Sequence, residues 1–179
     1  MSSLREINTD ADIPAALVAG PVGQLLRFHN LGATLPETAQ AELLIGMCID
    51  NRQQLRLPHN FAFIIRAAGA NLRHSDFNIS FAIAAGGVRA IALIGHSQCG
   101  MVNVSSRKDE IVAGLTTHAG WDKEAAERHF DESAPQSEIT HEVDFVLSET
   151  QRLRQLYPQI PVTPLIYKVE DHRLYLVNE

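Results

Sequence analysis

The sequence predicts an α/β fold, with a mostly parallel central sheet flanked by helices and an antiparallel terminal strand. Three observations predict it. Short apolar runs, "ELLIGM", "FAFIIR" and "AIALIG", each end in a polar or glycine-containing turn and read as buried strands. Between the second and third, "SDFNISFAIAAGG" places Ile79, Ala82, Ile83 and Gly86 at helical spacing, giving strand, helix, strand in order. Near the end, "VTPLIYKVEDHRLYLV" gives two more runs around "EDH", read as a terminal strand and its antiparallel hairpin partner. Strand-helix-strand units joined by short loops pair in parallel with a right-handed crossover, and strands apolar on both faces need helices on both sides.

Taken in order, the first forty residues are expected to form a helical N-terminal arm, peripheral to the sheet. Asp12 can cap a helix with Pro14 in its first turn, and "AALVAGPVGQLLRF" is broken around Gly20 and Pro21. Ser75 or Asp76 can cap the helix between the second and third strands, and Gly86 with Gly87 ends it. After Met101 comes a mostly helical excursion through "DEIVAGL" and "DKEAAERHF", closed by "DESAPQS". Then "SEITHEVDFVLSETQRLRQLY" predicts a helix capped by Ser137 and stopped by Pro158, with Ile139, Val143, Val146, Leu147, Leu153 and Leu156 toward the sheet. A chain of 179 residues suits one domain spanning 1–179.

Composition narrows the partners. With 45% hydrophobic and 20% charged residues the chain reads as an ordinary soluble protein, and no apolar run approaches the roughly 18 residues of a membrane span. A net charge of -6 without a local Lys/Arg cluster argues against nucleic acid. The start, "MSSLREINTDADIP", lacks the apolar block of a secretory signal, so a cytoplasmic location is expected.

There are two cysteines, Cys48 and Cys99, too few for a disulfide framework. They can be inert buried thiols, a redox pair or metal ligands. Cys48 directly follows the first predicted strand, Arg66 ends the second, and His96 follows the third in "GHSQCG". Sites in open parallel sheets gather beyond the carboxyl ends of the strands, where Cys48, His96 and Cys99 can meet. Two cysteines and a histidine are a zinc donor set, and three protein ligands with one open position is the catalytic arrangement. In "CIDNR", Cys48, Asp50 and Arg52 alternate, so an extended segment would put all three side chains on one side.

These residues carry a resemblance. "CIDNR", then "IIRAAGAN", then "ISFAIAAGGVRAIALIGHSQCGM" resembles the β-class carbonic anhydrases, whose pattern is C-x-D-x-R, an R-N-A-G-like loop and a G-H-x-x-C-G turn. The closing "VTPLIYKVEDHRLYLV" is similar to their final strand and hairpin. The resemblance implies Zn2+ held by Cys48, His96 and Cys99, with Asp50 and Arg52 as the catalytic dyad, in a lyase that interconverts carbon dioxide and bicarbonate through zinc-bound hydroxide. It implies that Asp50 becomes the fourth ligand in a closed state of some members, and that the chain forms a homodimer or dimer-based oligomer. It leaves open hydrolysis of carbon disulfide or carbonyl sulfide, and a noncatalytic zinc-binding scaffold.

Two positions depart from the pattern: Ala67 stands where the family usually has asparagine, and Ala70 separates Gly69 from Asn71. Phe81 stands where many members carry glutamate. A histidine with an ordinary pKa near 6.5 suits proton export, but none of His29, His59, His74, His118, His129, His141 and His172 is singled out by sequence. Leu57, Phe61, Phe63 and Ile65 read as strand-packing residues rather than as a substrate path.

Overall fold

A computed structural model describes residues 3–34 and 39–179. Its strands are β1 (Leu4–Arg5), β2 (Leu43–Met47), β3 (Ala62–Arg66), β4 (Ala90–His96), β5 (Val162–Lys168) and β6 (Arg173–Val177). Its helices are α1 (Ala15–Val18), α2 (Pro21–Leu31), α3 (Asp76–Ala84), α4 (Lys108–Ala119), α5 (Lys123–Ser137) and α6 (Glu142–Leu156). The strands form one sheet in the order β1-β6-β5-β4-β2-β3. Strands β2, β3, β4 and β5 are mutually parallel, and β6 runs against both of its neighbours. The predicted α/β class and the three predicted parallel strands are all present.

Alternation along the strands divides the core in two. Leu43, Ile45 and Met47 of β2 pack with Ala92 and Ile94 of β4 and with Leu25 and Leu26 of α2 on one face. Leu44, Ile91 and Leu93 pack on the other face against Ile79 of α3 and Val146 and Leu153 of α6. Gly95 lets α6 lie close against β4: a Cβ there would come within 2.6 Å of Val146 Cγ2. The strand at the free edge, β3, differs from the expectation of burial on both faces. Ile64 is 48% exposed, and beside it Phe77 and Phe81 of α3 are exposed too.

The N-terminal segment is not peripheral. The break at Gly20 is real, with Pro21 opening α2 where a missing N–H costs nothing. Asp12 serves a short 3-10 turn instead of a helix, its carboxylate accepting the backbone N–H groups of Asn8 and Thr9. Ile7, Leu25 and Leu26 are fully buried, because without α2 one face of the sheet would lie bare. Residues 35–38 of the predicted arm lie outside the described residues. Leu25→Ala should therefore destabilise the protein by about 2–5 kcal/mol, the range for a buried leucine, read as a lowered denaturant midpoint with an unchanged slope.

The start of the last helix is also corrected. "DESAPQS" is the end of α5, with Pro135 inside it, and α6 begins at Glu142 after His141 rather than at Ser137. Between them Ile139 is extended: its N–H donates to Met101 O, its carbonyl accepts from Asn103 N–H, and it forms a parallel bridge with Val102. Burial of Ile139 against Cys48 and Cys99 outweighs local helix signals.

Candidate metal centre

Strand order dictates where a site can form. After β2 the chain passes to β3 on one side, and after β4 it passes toward β5 on the other, so their loops diverge and leave a crevice at the carboxyl ends. Cys48 follows the last residue of β2, and His96 ends β4. The turn after β4 brings Cys99 back toward both. The sulfurs of Cys48 and Cys99 and a ring nitrogen of His96 lie within 4.8 Å of one another, and all three residues are buried. Neither cysteine is in a disulfide.

The donor set fits a zinc ion on three counts. His96 Nδ1 donates to Ser97 O at 2.9 Å, which leaves Nε2 as the nitrogen with a free lone pair. That Nε2 is buried without a hydrogen-bond partner, a costly arrangement in a protein interior unless a ligand takes the lone pair. Tetrahedral coordination at ordinary Zn–S and Zn–N lengths needs donor separations of about 3.6–3.8 Å, within the span of this cluster. The nearness of the two thiols lowers the Cys48 pKa, with His96 and the nearby backbone of Asp50 and Gly69 acting in the same direction, while the same nearness and burial raise that of Cys99.

Asp50 and Arg52 lie beside this cluster as an ion pair. Arg52 Nη2 reaches Asp50 Oδ2 at 2.7 Å and Nε reaches Oδ1 at 3.0 Å, while the Arg52 backbone N–H donates to Oδ1 at 2.9 Å. Hydrogen bonding from Arg52 holds the Asp50 carboxyl down to about 2, so it is ionised at neutral pH. Its Oδ2 is 3.8 Å from His96 Nε2. Arg52 is itself oriented by Gln98, whose carbonyl accepts from Nη2 at 2.9 Å.

Several supporting residues were not legible as such. Arg66 donates to the carbonyls of Cys48, Asp50 and Gln53, clamping the turn that carries both a thiol and the dyad. Glu142 accepts the Cys99 backbone N–H at 3.2 Å, and Glu170 from the β5–β6 hairpin accepts from Ser97 Oγ and Gln98 Nε2. Buried Gln53 accepts from Cys48 N–H at 3.1 Å. A sequence marks such residues only as common polar types, because most of their partners come from other segments.

The loop departures have a local answer. Ala67 N–H donates to Met47 O at 3.0 Å, and Asn71 supplies the amide, donating to Gln136 O and accepting from Arg73 N–H. Gly69 takes φ +62 beneath Ile139, where a Cβ would come within 3.2 Å of Ile139 Cγ2. Phe81 is exposed, and Phe61 is buried in the core. Among the histidines, His29 is committed to structure: Nδ1 accepts from Arg56 N–H and Nε2 donates to His172 O. His59 and His74 are exposed.

Comparison with known proteins bears on this site. The family model for carbonic anhydrase matches residues 43–174. No curated protein matches the sequence significantly. Among solved structures, the chain is similar to β-carbonic anhydrase isoform I of Trichomonas vaginalis (TM-score 0.62, 18% identity, 93% of this chain and 99% of that one). It is also similar to a carbonic anhydrase from Glaciozyma antarctica (0.62, 20%, 92% and 99%). A carbon disulfide hydrolase in its apo form shares the fold less completely (0.53, 23%, 75% and 77%). The structural likeness establishes the fold, and the family match runs from β2 into β6 across every residue of the cluster; the chain belongs to the β-class carbonic anhydrase family.

Proposed function

We propose that this protein is a zinc lyase that reversibly hydrates carbon dioxide to bicarbonate and a proton, with Cys48, His96 and Cys99 as metal ligands and Asp50 and Arg52 as the catalytic dyad. The observation that carries the reading is the buried two-sulfur, one-nitrogen cluster with an ionised carboxylate held at its side. When bound, zinc supplies Lewis acidity that makes water a nucleophile at neutral pH. The chain's own residues supply orientation. Asp50, an acceptor only when ionised, takes a hydrogen bond from the attacking oxygen and so turns a lone pair toward the substrate carbon. Arg52 occupies both carboxylate oxygens, which favours Asp50 as acceptor over Asp50 as fourth ligand in a closed state.

Ile139 with the partly buried Met101, Val102 and Phe145 lies against the two cysteines as an apolar surface. Such a surface suits a small linear apolar substrate and disfavours retention of the charged product. It equally suits carbon disulfide or carbonyl sulfide, the second reading, which the shared fold of a carbon disulfide hydrolase also supports. We place the activity on one domain over residues 1–179 in the cytoplasm, in keeping with the free thiols; no helix among the described residues is long and apolar enough to cross a membrane. A homodimer or dimer-based oligomer accounts for the apolar cluster of Ile64, Phe77 and Phe81 at the sheet edge.

Metal analysis and stopped-flow hydration test the proposal together. One zinc per chain and carbon dioxide hydration at neutral to alkaline pH are expected. Full zinc occupancy with sulfide release from carbon disulfide and no hydration would select the second reading, and zinc without either activity would leave a scaffold.

A further inference from the structure

Gln53 is completely buried although it carries a primary amide, whose burial is costly unless it is hydrogen-bonded. Its Oε1 accepts the Cys48 backbone N–H at 3.1 Å, and its Nε2 lies 3.4 Å from the carbonyl oxygens of both Ile94 and Gly95. Its own backbone N–H donates to Asp50 O at 3.2 Å, closing the dyad turn. One neutral side chain therefore joins the loop that carries Cys48 to the end of β4 that carries His96. An amide suits this position because it offers an acceptor and a donor in one plane without charge. A carboxylate would set negative charge beside two carbonyl oxygens, and an apolar side chain would leave the Cys48 N–H and the carbonyls without this partner.

We infer that Gln53 is a positioning residue for the metal site, fixing the separation and orientation of Cys48 and His96 and thereby strengthening zinc binding. The inference rests on the zinc reading proposed above. The Cys99 N–H is held in the same manner by Glu142 Oε1, so both thiol-bearing segments are tethered through their backbone, leaving the sulfurs to the metal. Outer partners of this kind typically govern metal affinity by about 10–100-fold.

Zinc affinity is to be measured by chelator competition for wild-type protein and for Gln53→Met, which keeps the volume and deletes the amide. The expected result is about 10–100-fold weaker zinc binding and a changed absorption spectrum of the cobalt(II)-substituted protein, with an unchanged circular dichroism spectrum. A folded Gln53→Met with wild-type zinc affinity and cobalt spectrum overturns the inference while leaving the zinc reading intact. Wild-type protein that takes up no zinc overturns both. If Gln53→Met does not fold, the zinc-loaded wild-type protein decides by NMR. Its Gln53 side-chain amide protons must be as protected from exchange as the amides of β4, and rapid exchange overturns the inference.

Discussion

Cys99→Ser is expected to cost the protein its zinc and its carbon dioxide hydration together. Serine is close in size to cysteine, so the turn after β4 can keep its backbone bonds, including the N–H donated to Glu142. A hydroxyl is a far poorer zinc donor than a thiolate, because it does not ionise near neutral pH and lacks sulfur's softness. Losing an outer partner of a ligand costs about 10–100-fold in affinity or activity, and losing the ligand itself should cost more than about 100-fold in kcat/KM. Metal analysis and stopped-flow assays on the same sample check it. A redox role for Cys48 and Cys99 predicts the opposite pattern, with metal content unaffected by the substitution, so zinc retained at wild-type level in Cys99→Ser would sink the ligand assignment.

Asp50→Asn is expected to separate binding from chemistry. The variant keeps both sulfurs and His96, so zinc content should match wild type. Its amide nitrogen replaces one acceptor oxygen with a donor, and the remaining carbonyl is a weaker acceptor than a carboxylate. Arg52 then loses its charge partner. Loss of such an oriented proton acceptor typically costs about 10²–10⁴-fold in rate, and the loss should fall on kcat as well as kcat/KM. Arg52→Lys is the companion variant: a single ammonium cannot reproduce the two-pronged hold seen on Asp50, so an intermediate loss is expected. Thermal stability should change little in Arg52→Lys, because Arg52 is nearly half exposed and such pairs contribute little. An Asp50→Asn enzyme as fast as wild type would remove Asp50 from the mechanism.

How much of this could be read from sequence differs between the sheet and its surroundings. The parallel strands were legible because burial on one or both faces demands runs such as Leu43–Met47 and Ala90–His96, and the turns after them carry residue types with little other reason to cluster. Ile139 lies at helical spacing from Val143 and Val146, yet it serves as an extended bridge to Val102 over the two cysteines. The N-terminal segment differs from its expected place for a related reason. Its helices look amphipathic whether they lie at the rim or on the sheet, and only the bare face above β2 and β4 settles the choice.

Local chemistry, read along the chain, determined the α/β class and the three parallel strands, and it placed Cys48, with Asp50 and Arg52, and His96, with Cys99, after two of those strands. These follow from periodicity and residue type, which are properties of short segments. Tertiary structure decided what those segments do to one another. It brought the three donors within 4.8 Å, left His96 Nε2 with a free lone pair, and tied the segments through Gln53 to the end of β4, Arg66 to Cys48 and Glu142 to Cys99. Those ties join residues far apart in the chain, and a hydrogen bond between distant segments leaves no period or spacing in either of them.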